Sequence, residues 1–272
     1  MDTPSKFIDI DKVFYEKNPA VYKWIPRFVI NYLKRITHQD EINEFILTHG
    51  HQYAFDFVRA IVEDFKIRIS YKGLENVTPT GNYIFAANHP LGGLDAMALL
   101  HVLGGKRNDL KFIVNDILLN LKNLEPLFAG VNKISGNSRQ MLGAIDKLYG
   151  SSDSVLIFPA GLVSRKQNGV IKDLEWKKSF VSKARRYKRN VIPVYISGRN
   201  SMFFYNLANI RKSVGIGANI EMLYLPDEMY NYKNKEIGIV IGKPIPCTTF
   251  DKSMSDEAWA QYVKERVYEL DN

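Results

Sequence analysis

The chain has 272 residues, 46% of them hydrophobic, with ordinary glycine and proline contents. This composition predicts one folded α/β domain with an appended segment and argues against extensive disorder. Cys247 is the only cysteine, which excludes a disulfide framework and a cysteine-rich metal site. The formal net charge of +8 predicts an anionic partner, and nucleic acid, a lipid surface and an acidic carrier protein all fit that description.

The start of the chain, MDTPSKFIDIDK, lacks a basic stretch followed by an apolar run, so we expect no secretory signal. No window offers the roughly 18 to 20 uninterrupted apolar residues that a membrane-spanning helix needs. These patterns predict a cytoplasmic protein that is either soluble or peripheral to a membrane.

Residues 1–66 are predicted to form a helical segment. A helix is expected to start at Asn18-Pro19, and a break at residues 49–51 precedes a second helix over 53–65. The first helix carries an apolar stripe at spacings of three and four, formed by Val21, Trp24, Ile25, Phe28, Val29, Tyr32 and Leu33. Basic residues flank this stripe, so the helix either lies in a membrane interface or packs on the core.

Residues 67–272 are predicted to form an α/β domain, in which a mixed, mostly parallel central sheet is flanked by helices. Strands alternate with helical stretches along this part of the chain. The predicted strands cover residues 67–71, 83–88, 111–115, 154–159, 190–196, 220–225 and 237–241. The first of them alternates apolar and charged residues, as a half-exposed edge strand does, and Ser255 is expected to cap a terminal helix.

The stretch YIFAANHPLGGLDAMALL places chemistry at the end of one of these strands. Asn88 and His89 follow the strand, Gly92 and Gly93 form a turn, and Asp95 opens a helix. An aspartate can hold a histidine ring in the tautomer whose other nitrogen accepts a hydroxyl proton. The pattern therefore predicts a general base, although a tight turn with a structural histidine has the same composition.

These residues resemble the glycerolipid acyltransferase family, whose hallmark is Asn-His, four residues and then Asp. Five residues separate His89 from Asp95 in this chain. The variant His-Pro-Leu-Gly-Gly-Leu-Asp is similar to the hemolysin-like branch of the family, which includes acyltransferases of ornithine and glycine lipids. The resemblance implies a catalytic pair of His89 and Asp95, with substrate contacts from Asn88, Gly92 and Gly93.

A second block, LIFPAGLVSRK, ends another predicted strand. It resembles the Phe-Pro-Glu-Gly motif of the family, but Ala160 stands where the glutamate usually does. A loop with glycine, hydroxyl and cationic groups suits an anionic head group, and an ordinary solvated loop is the alternative. The predicted substrate contacts in this block are Phe158, Pro159, Gly161, Ser164 and Arg165.

Two further blocks follow the order of the family. GVNKISGNSRQ at 130–140 stands where the second motif belongs, and it contributes Lys133 and Arg139 as weaker head-group contacts. VIPVYISGRNS at 191–201 resembles the fourth motif, and Arg199 is a further candidate for an anionic group. A basic run at 172–190 is predicted to be an amphipathic helix, either attractive to an acidic acyl carrier protein or anionic lipid, or simply solvated.

Together, these features predict an acyltransferase that moves a fatty acyl group from an acyl thioester, on acyl carrier protein or coenzyme A, to the hydroxyl of a lysolipid. The lysolipid is either a lyso-aminolipid or lysophosphatidic acid. The resemblance implies no metal or redox cofactor and no nucleic-acid partner, and a location on the inner face of the cytoplasmic membrane. Backbone N–H groups at Gly92, Gly93 or the start of the Asp95 helix are candidate donors to the oxyanion. A non-catalytic basic binding protein is the rival hypothesis.

Overall fold

The computed structural model of the protein describes residues 6–113, 121–129 and 138–271, and of residues 138–142 it describes only the backbone. The chain forms two compact units. The first comprises Met1–Gln52 and Ser201–Lys233, and the second comprises Tyr53–Asn200 and Asn234–Asn272. No helix in the described parts of the chain combines the length and the apolar character needed to cross a membrane.

The second unit is built around a six-stranded sheet with the order β1-β8-β7-β2-β4-β3. Its strands are β1 Arg68–Lys72, β2 Tyr83–Ala87, β3 Leu110–Phe112, β4 Ser154–Ile157, β7 Asn190–Ile196 and β8 Glu236–Ile241, and a separate hairpin pairs β5 Arg165–Gln167 with β6 Val170–Lys172. Every neighbouring pair in the large sheet is parallel except β7 and β8. This arrangement confirms the predicted mixed, mostly parallel sheet.

The pattern of burial explains the strand order. In β2, the residues Ile84, Phe85, Ala86 and Ala87 are all fully buried, as expected for a central strand covered on both faces. By contrast, β1 lies at the edge of the sheet and is largely exposed, as its alternating sequence predicted.

The described residues of the second unit include the helices α5 Ala54–Asp64, α6 Gly93–Gly104, α7 Ser138–Gly150, α8 Ser179–Arg186 and α11 Asp256–Tyr268. The hydroxyl of Ser255 accepts a hydrogen bond from Ala258 N at 3.1 Å, so the predicted cap of the last helix is confirmed. Helix α5 packs on α6, where a Cβ at Gly104 would lie 2.5 Å from the ring of Phe55. The predicted division of the chain into a helical segment over 1–66 and an α/β domain over 67–272, each with its own function, remains a prediction.

The predicted basic helix over residues 172–190 is shorter than expected. Only Ser179–Arg186 is helical, because the hairpin strand β6 continues to Lys172 and an irregular stretch over 173–178 follows it. Several of its basic side chains form ion pairs within the protein, namely Lys178 with Glu257, Lys183 with Asp146, and Arg185 with Asp256. These pairs favour the interpretation of a solvated helix face over that of a docking surface.

The first unit is helical and contains α1 Ile10–Lys17, α2 Pro19–Trp24, α3 Arg27–Ile36, α4 Gln39–His49, α9 Met202–Ser213 and α10 Leu225–Tyr230. Asn18 caps α2 through Val21 N, as predicted. The single amphipathic helix predicted over 21–36 is in fact two helices, because Pro26 has no N–H group with which to continue the helical ladder.

One predicted strand of this unit is wrong. Residues 220–225 were expected to be extended, but Ile220–Tyr224 forms a 3₁₀ turn that leads into α10. The carboxylate of Glu221 is fully buried and accepts a hydrogen bond from Arg211 Nε at 2.6 Å. A buried charge needs such a partner, and the turn is the conformation in which Glu221 reaches it.

Candidate active site

The sheet order brings three of the motif blocks together. Strands β7, β2 and β4 are adjacent and parallel, so their carboxyl ends meet at one edge of the sheet. His89 follows β2, Phe158 follows β4 and Arg199 lies in the loop after β7. Sites in open α/β sheets form at this edge, outside the carboxyl ends of the strands.

His89 and Asp95 form a hydrogen-bonded pair at this edge. The distance between His89 Nδ1 and Asp95 Oδ2 is 2.9 Å. The Asp95 side chain is 0% exposed, whereas that of His89 is 18% exposed. A proton on Nδ1 is donated to the carboxylate, and the lone pair on Nε2 is then available. Nε2 has no hydrogen-bond partner among the described residues. The arrangement suits a base that faces a substrate.

Asp95 also organises the loop between the histidine and the helix. Its Oδ2 accepts hydrogen bonds from Leu91 N at 2.9 Å and Gly92 N at 3.0 Å, in addition to the one from His89. Gly92 has φ +81°, a conformation that glycine adopts at little cost. The expectation that Gly92 N stabilises an oxyanion is therefore wrong, because this N–H is already bonded. The N–H groups of Gly93 and Leu94, in the first turn of α6, remain as candidates.

Burial and hydrogen bonding act on the Asp95 carboxyl in opposite directions. Complete burial raises the pKa of Asp95 above its ordinary value, while the hydrogen bonds from His89, Leu91 N and Gly92 N act against that rise. The net direction is upward. Ionising this carboxyl in the folded protein therefore costs free energy, and the three hydrogen-bond donors reduce that cost.

Asn88 links the ends of two strands rather than pointing to a substrate. Its Nδ2 donates to Ile196 O at 2.8 Å, and its Oδ1 accepts from Ile196 N at 2.7 Å. The side chain therefore pairs with the backbone of β7 as a further strand residue would. Both partners are buried, so the amide fixes the point at which the chain leaves β2 for His89.

We expect Asn88→Ala to lower the free energy of unfolding by about 1–3 kcal/mol, because it leaves the buried N–H and C=O of Ile196 without partners. Urea unfolding measures this change. Asn76→Ala is the matched control, since Asn76 donates one hydrogen bond, to Ile241 O, at a partly buried site and its loss should cost less. An unchanged unfolding free energy for Asn88→Ala would contradict the role given to this amide.

Phe158 forms an apolar wall beside the histidine. Its ring stacks on that of His89 with centroids 4.2 Å apart and an interplanar angle of 15°. Phe112 meets the Phe158 ring edge-on at 5.7 Å. Phe158 is half-buried, so part of this apolar surface is open next to the exposed part of the imidazole. The stacking restricts the imidazole plane and gives the site an apolar side.

The turn after Phe158 has the geometry that its sequence suggests. Gly161 N donates to Phe158 O at 3.0 Å, and Gly161 has φ +70°, which favours glycine. Pro159 and Ala160 are buried within this turn. An added Cβ on the exposed Gly161 would lie 2.9 Å from Lys177 Nζ, which places an ammonium group beside the turn.

Ser164 and Arg165 differ from the expectation that they offer open donors. Ser164 is buried, and its hydroxyl donates to Asp173 Oδ1 at 2.6 Å. Arg165 is buried too, and its Nη1 donates to Val163 O at 2.8 Å. The structure therefore uses both groups inside the protein, and contact between these two side chains and a head group stays a prediction.

Comparison with known proteins decides the class of this site. A family profile described as "Acyltransferase" matches residues 12–272. The chain belongs to the acyltransferase family. The acyltransferase is 48% identical over 264 residues to "Lyso-glycine lipid O-acyltransferase" of Bacteroides thetaiotaomicron, with 97% of each chain covered. It is 47% identical over 264 residues to the protein of the same name from Phocaeicola vulgatus, with 97% of this chain and 95% of that one covered.

A solved structure also resembles this acyltransferase. The 1-acyl-sn-glycerophosphate (LPA) acyltransferase PlsC from Thermotoga maritima aligns with a TM-score of 0.48 and 21% identity, over 79% of this chain and 80% of that chain. Family membership makes the chain an enzyme, so the rival hypothesis of a non-catalytic binding protein is wrong. Within the described residues, no group of three or more His, Cys, Asp and Glu side chains could hold a metal ion.

Three predicted head-group contacts of the acyltransferase remain, and the structure describes the side chain of one of them. Arg199 is exposed in the loop that follows β7, at the same edge of the sheet as His89. Lys133 and the side chain of Arg139 lie outside the described residues.

Sequence reasoning missed Asp173, which lies within the run 172–190 that was predicted to be a basic amphipathic helix. The structure buries its carboxylate against His89 N and Ser164. One sequence signal could have indicated its burial. Trp176 follows three residues later, and a buried tryptophan requires an acceptor for its indole N–H, which Asp173 provides.

Proposed function

We propose that this acyltransferase moves a fatty acyl group from a thioester to the hydroxyl of a lyso-aminolipid, with a lyso-glycine lipid as the favoured acceptor. The observation that carries the proposal is the His89–Asp95 pair, whose outer imidazole nitrogen is unbonded among the described residues. The acceptor follows from the two relatives at 48% and 47% identity, both named for lyso-glycine lipid.

The reaction begins when His89 Nε2 takes the proton of the acceptor hydroxyl. The oxygen then attacks the thioester carbonyl carbon, and a tetrahedral intermediate forms. Its collapse breaks the C–S bond, and the imidazolium returns the proton to the leaving thiolate. Asp95 holds the ring in the tautomer that starts this sequence, and its negative charge stabilises the imidazolium. The products are an ester and a free thiol.

The negative charge on the intermediate needs donors close to His89. The first-turn N–H groups of Gly93 and Leu94 point out of the N-terminus of α6, where the helix dipole also favours negative charge. An added Cβ at Gly93 would meet no heavy atom within 4 Å, so a substrate can approach this backbone closely. These two groups are the proposed oxyanion donors.

Recognition of the acceptor head group is assigned to cations at the same edge of the sheet. Arg199 is exposed there, and Lys177 Nζ lies beside the glycine turn after β4. Lys133 and Arg139 are further candidates from the sequence. A carboxylate or phosphate on the acceptor would pair with such groups.

Location at the inner face of the membrane is supported by an aromatic face on the first unit. We use this name for the exposed aromatic residues Trp24, Phe28, Tyr32 and Phe203 together with the half-buried Tyr224. The hydroxyls of Tyr32 and Tyr224 are 2.6 Å apart, and the rings of Phe203 and Tyr224 meet at 5.0 Å. Trp24 and Phe28 remain 88% and 73% exposed, while Ile30 on the same segment is buried. The segment therefore packs on its unit and still presents aromatic side chains outward.

A bilayer is a suitable occupant of this face, since aromatic side chains favour the interfacial region and the net charge of +8 favours anionic lipid. We expect Trp24→Ser with Phe28→Ser to lower partitioning onto vesicles of phosphatidylglycerol and phosphatidylcholine about tenfold or more. Sedimentation with vesicles measures this change.

Tyr71→Ser is the matched control for that experiment, because Tyr71 is an exposed aromatic residue on β1 and lies outside the aromatic face. It should leave vesicle binding unchanged. Equal vesicle binding by the double variant and the parent protein would contradict the proposal that the aromatic face binds the bilayer.

The acceptor is tested with purified protein, one fatty acyl thioester and either lyso-glycine lipid or lysophosphatidic acid. We expect a larger kcat/KM for lyso-glycine lipid, because Ala160 replaces the glutamate of the third motif and both relatives bear that substrate in their names. Supplying the acyl group on acyl carrier protein and on coenzyme A identifies the donor. Faster transfer to lysophosphatidic acid would overturn the proposed acceptor.

A further inference from the structure

Asp173 is a buried carboxylate that the proposed chemistry does not use. It is 3% exposed and lies 84 residues after the histidine in sequence. Its Oδ1 accepts hydrogen bonds from His89 N at 3.1 Å and from Ser164 Oγ at 2.6 Å, and its Oδ2 accepts one from Trp176 Nε1 at 2.9 Å. Burying a carboxylate is costly unless its oxygens accept hydrogen bonds, and both oxygens of Asp173 do so.

Ser164 completes a closed set of hydrogen bonds around the histidine backbone. Its N–H donates to His89 O at 2.8 Å, while its hydroxyl donates to the same carboxylate oxygen that holds His89 N. Both backbone polar groups of His89 are thus bonded by one two-residue clamp. Two side-chain torsions separate this backbone from the imidazole, so a shift of the backbone moves the ring directly.

The clamp is itself anchored to the terminal helix. Asp173 N donates to the hydroxyl of Tyr268 at 2.8 Å, and Lys264 Nζ donates to Asp173 O at 2.8 Å. Both of these residues lie on α11. A tyrosine hydroxyl is protonated at neutral pH, so Tyr268 accepts this bond as a neutral group, and burial raises its pKa further. The anchor gives the carboxylate a fixed position relative to the sheet.

We propose that Asp173, with Ser164, is a positioning residue for His89, and that it sets the imidazole at the distance from Asp95 and the acceptor that transfer requires. This inference rests on the proposed function. It assigns His89 three points of attachment: the ring to Asp95, the N–H to Asp173 and the carbonyl to Ser164. A displacement of about 1 Å at a reacting group can cost about 100-fold in rate, so loosening two of these points should lower kcat.

The first test compares two buried serines. Ser164→Ala removes the hydroxyl that bonds Asp173. Ser154→Ala removes a hydroxyl at the amino end of β4, where it bonds Tyr83 N and Arg107, at the other end of the sheet from His89. We expect Ser164→Ala to lower kcat about tenfold with KM within about twofold of the parent value, and Ser154→Ala to lower the melting temperature without changing kcat.

The second test uses Asp173→Asn, which is nearly isosteric but has one carbonyl oxygen in place of two acceptors. It cannot accept from Trp176 and from His89 together, so we expect kcat to fall about 100-fold. Hydrogen exchange of the His89 amide should accelerate at least about tenfold in both variants. The Ile196 amide, which Asn88 holds, is the internal reference and should not change.

A double variant separates positioning from general stabilisation. If Asp173 acts through His89, then Asp173→Asn should cost no further activity in a His89→Ala background. Multiplication of the two losses would overturn the inference, as would parent values of kcat and His89 amide exchange in both clamp variants. Absence of transfer by the parent protein would instead overturn the proposed function, while the exchange measurement would still test the clamp.

Discussion

His89→Ala should reduce kcat by about 10² to 10⁴, the range typical of removing a general base. The acceptor hydroxyl is then a poor nucleophile, because no group at the carboxyl end of β2 takes its proton. The fold should survive, since the side chain is partly exposed and its backbone bonds to Asp173 and Ser164 remain. Steady-state release of thiol from an acyl thioester in the presence of acceptor measures the rate.

His51→Ala provides the matched control for this variant. His51 is exposed and lies in the first unit, so its loss should leave kcat and the melting temperature at the parent values. Parent activity in a folded His89→Ala protein would end the assignment of His89 as the base.

Asp95→Asn should separate the charge of the carboxylate from its geometry. The N–H groups of Leu91 and Gly92 both point at Oδ2, so the asparagine amide will place its oxygen there and still accept from His89 Nδ1. The tautomer is preserved and the negative charge is lost, while the new amide NH2 takes the buried position of Oδ1, which has no hydrogen-bond partner among the described residues. We expect kcat to fall about 10² to 10³, as for removal of a preorganised electrostatic partner. Asp95→Ala loses the loop contacts as well and should be at least as inactive.

The same substitution should also change how the stability of the protein depends on pH. Burial raises the pKa of Asp95 in the folded state above 3.8, its ordinary value. A group with a raised folded pKa favours the fold below its unfolded pKa, and that contribution is lost as pH rises through the folded pKa. Asparagine does not titrate. The unfolding free energy of Asp95→Asn relative to the parent should therefore be higher at pH 7 than at pH 4, and urea unfolding at both values measures it.

Two outcomes would contradict this account of Asp95. The first is a parent rate in Asp95→Asn, which would mean that the charge contributes nothing to transfer. The second is a stability difference that falls between pH 4 and pH 7, which would mean that the carboxylate favours the fold when ionised.

Much of the candidate site could be predicted from residues that are close together in the sequence. A buried strand that ends in Asn-His, a glycine turn and a helix with an early aspartate could be predicted from one stretch, because all these features are within fifteen residues. The spacing of His89 and Asp95 in a strand–turn–helix unit then brings the two side chains within hydrogen-bond distance. The meeting of three motif blocks at one sheet edge depends on the strand order, which only the structure shows.

Long-range contacts could not be predicted in the same way. Nothing in the composition around Asp173 or Ser164 indicates that they hold a histidine backbone far earlier in the chain. The exposed-looking Ser-Arg sequence suggested open donors, but burial by the tertiary fold turned both side chains inward. In the first unit, the pattern at 220–225 has strand-like residues, and only the contact of Glu221 with Arg211 reveals the turn.

The most direct test of the central claim is the stoichiometry of products from purified protein, one fatty acyl thioester and lyso-glycine lipid. Mass spectrometry should show one ester bond formed on the lipid for each thiol released, and both products should disappear together in His89→Ala. Release of thiol with free fatty acid in place of the ester, or ester formation undiminished in His89→Ala, would contradict it.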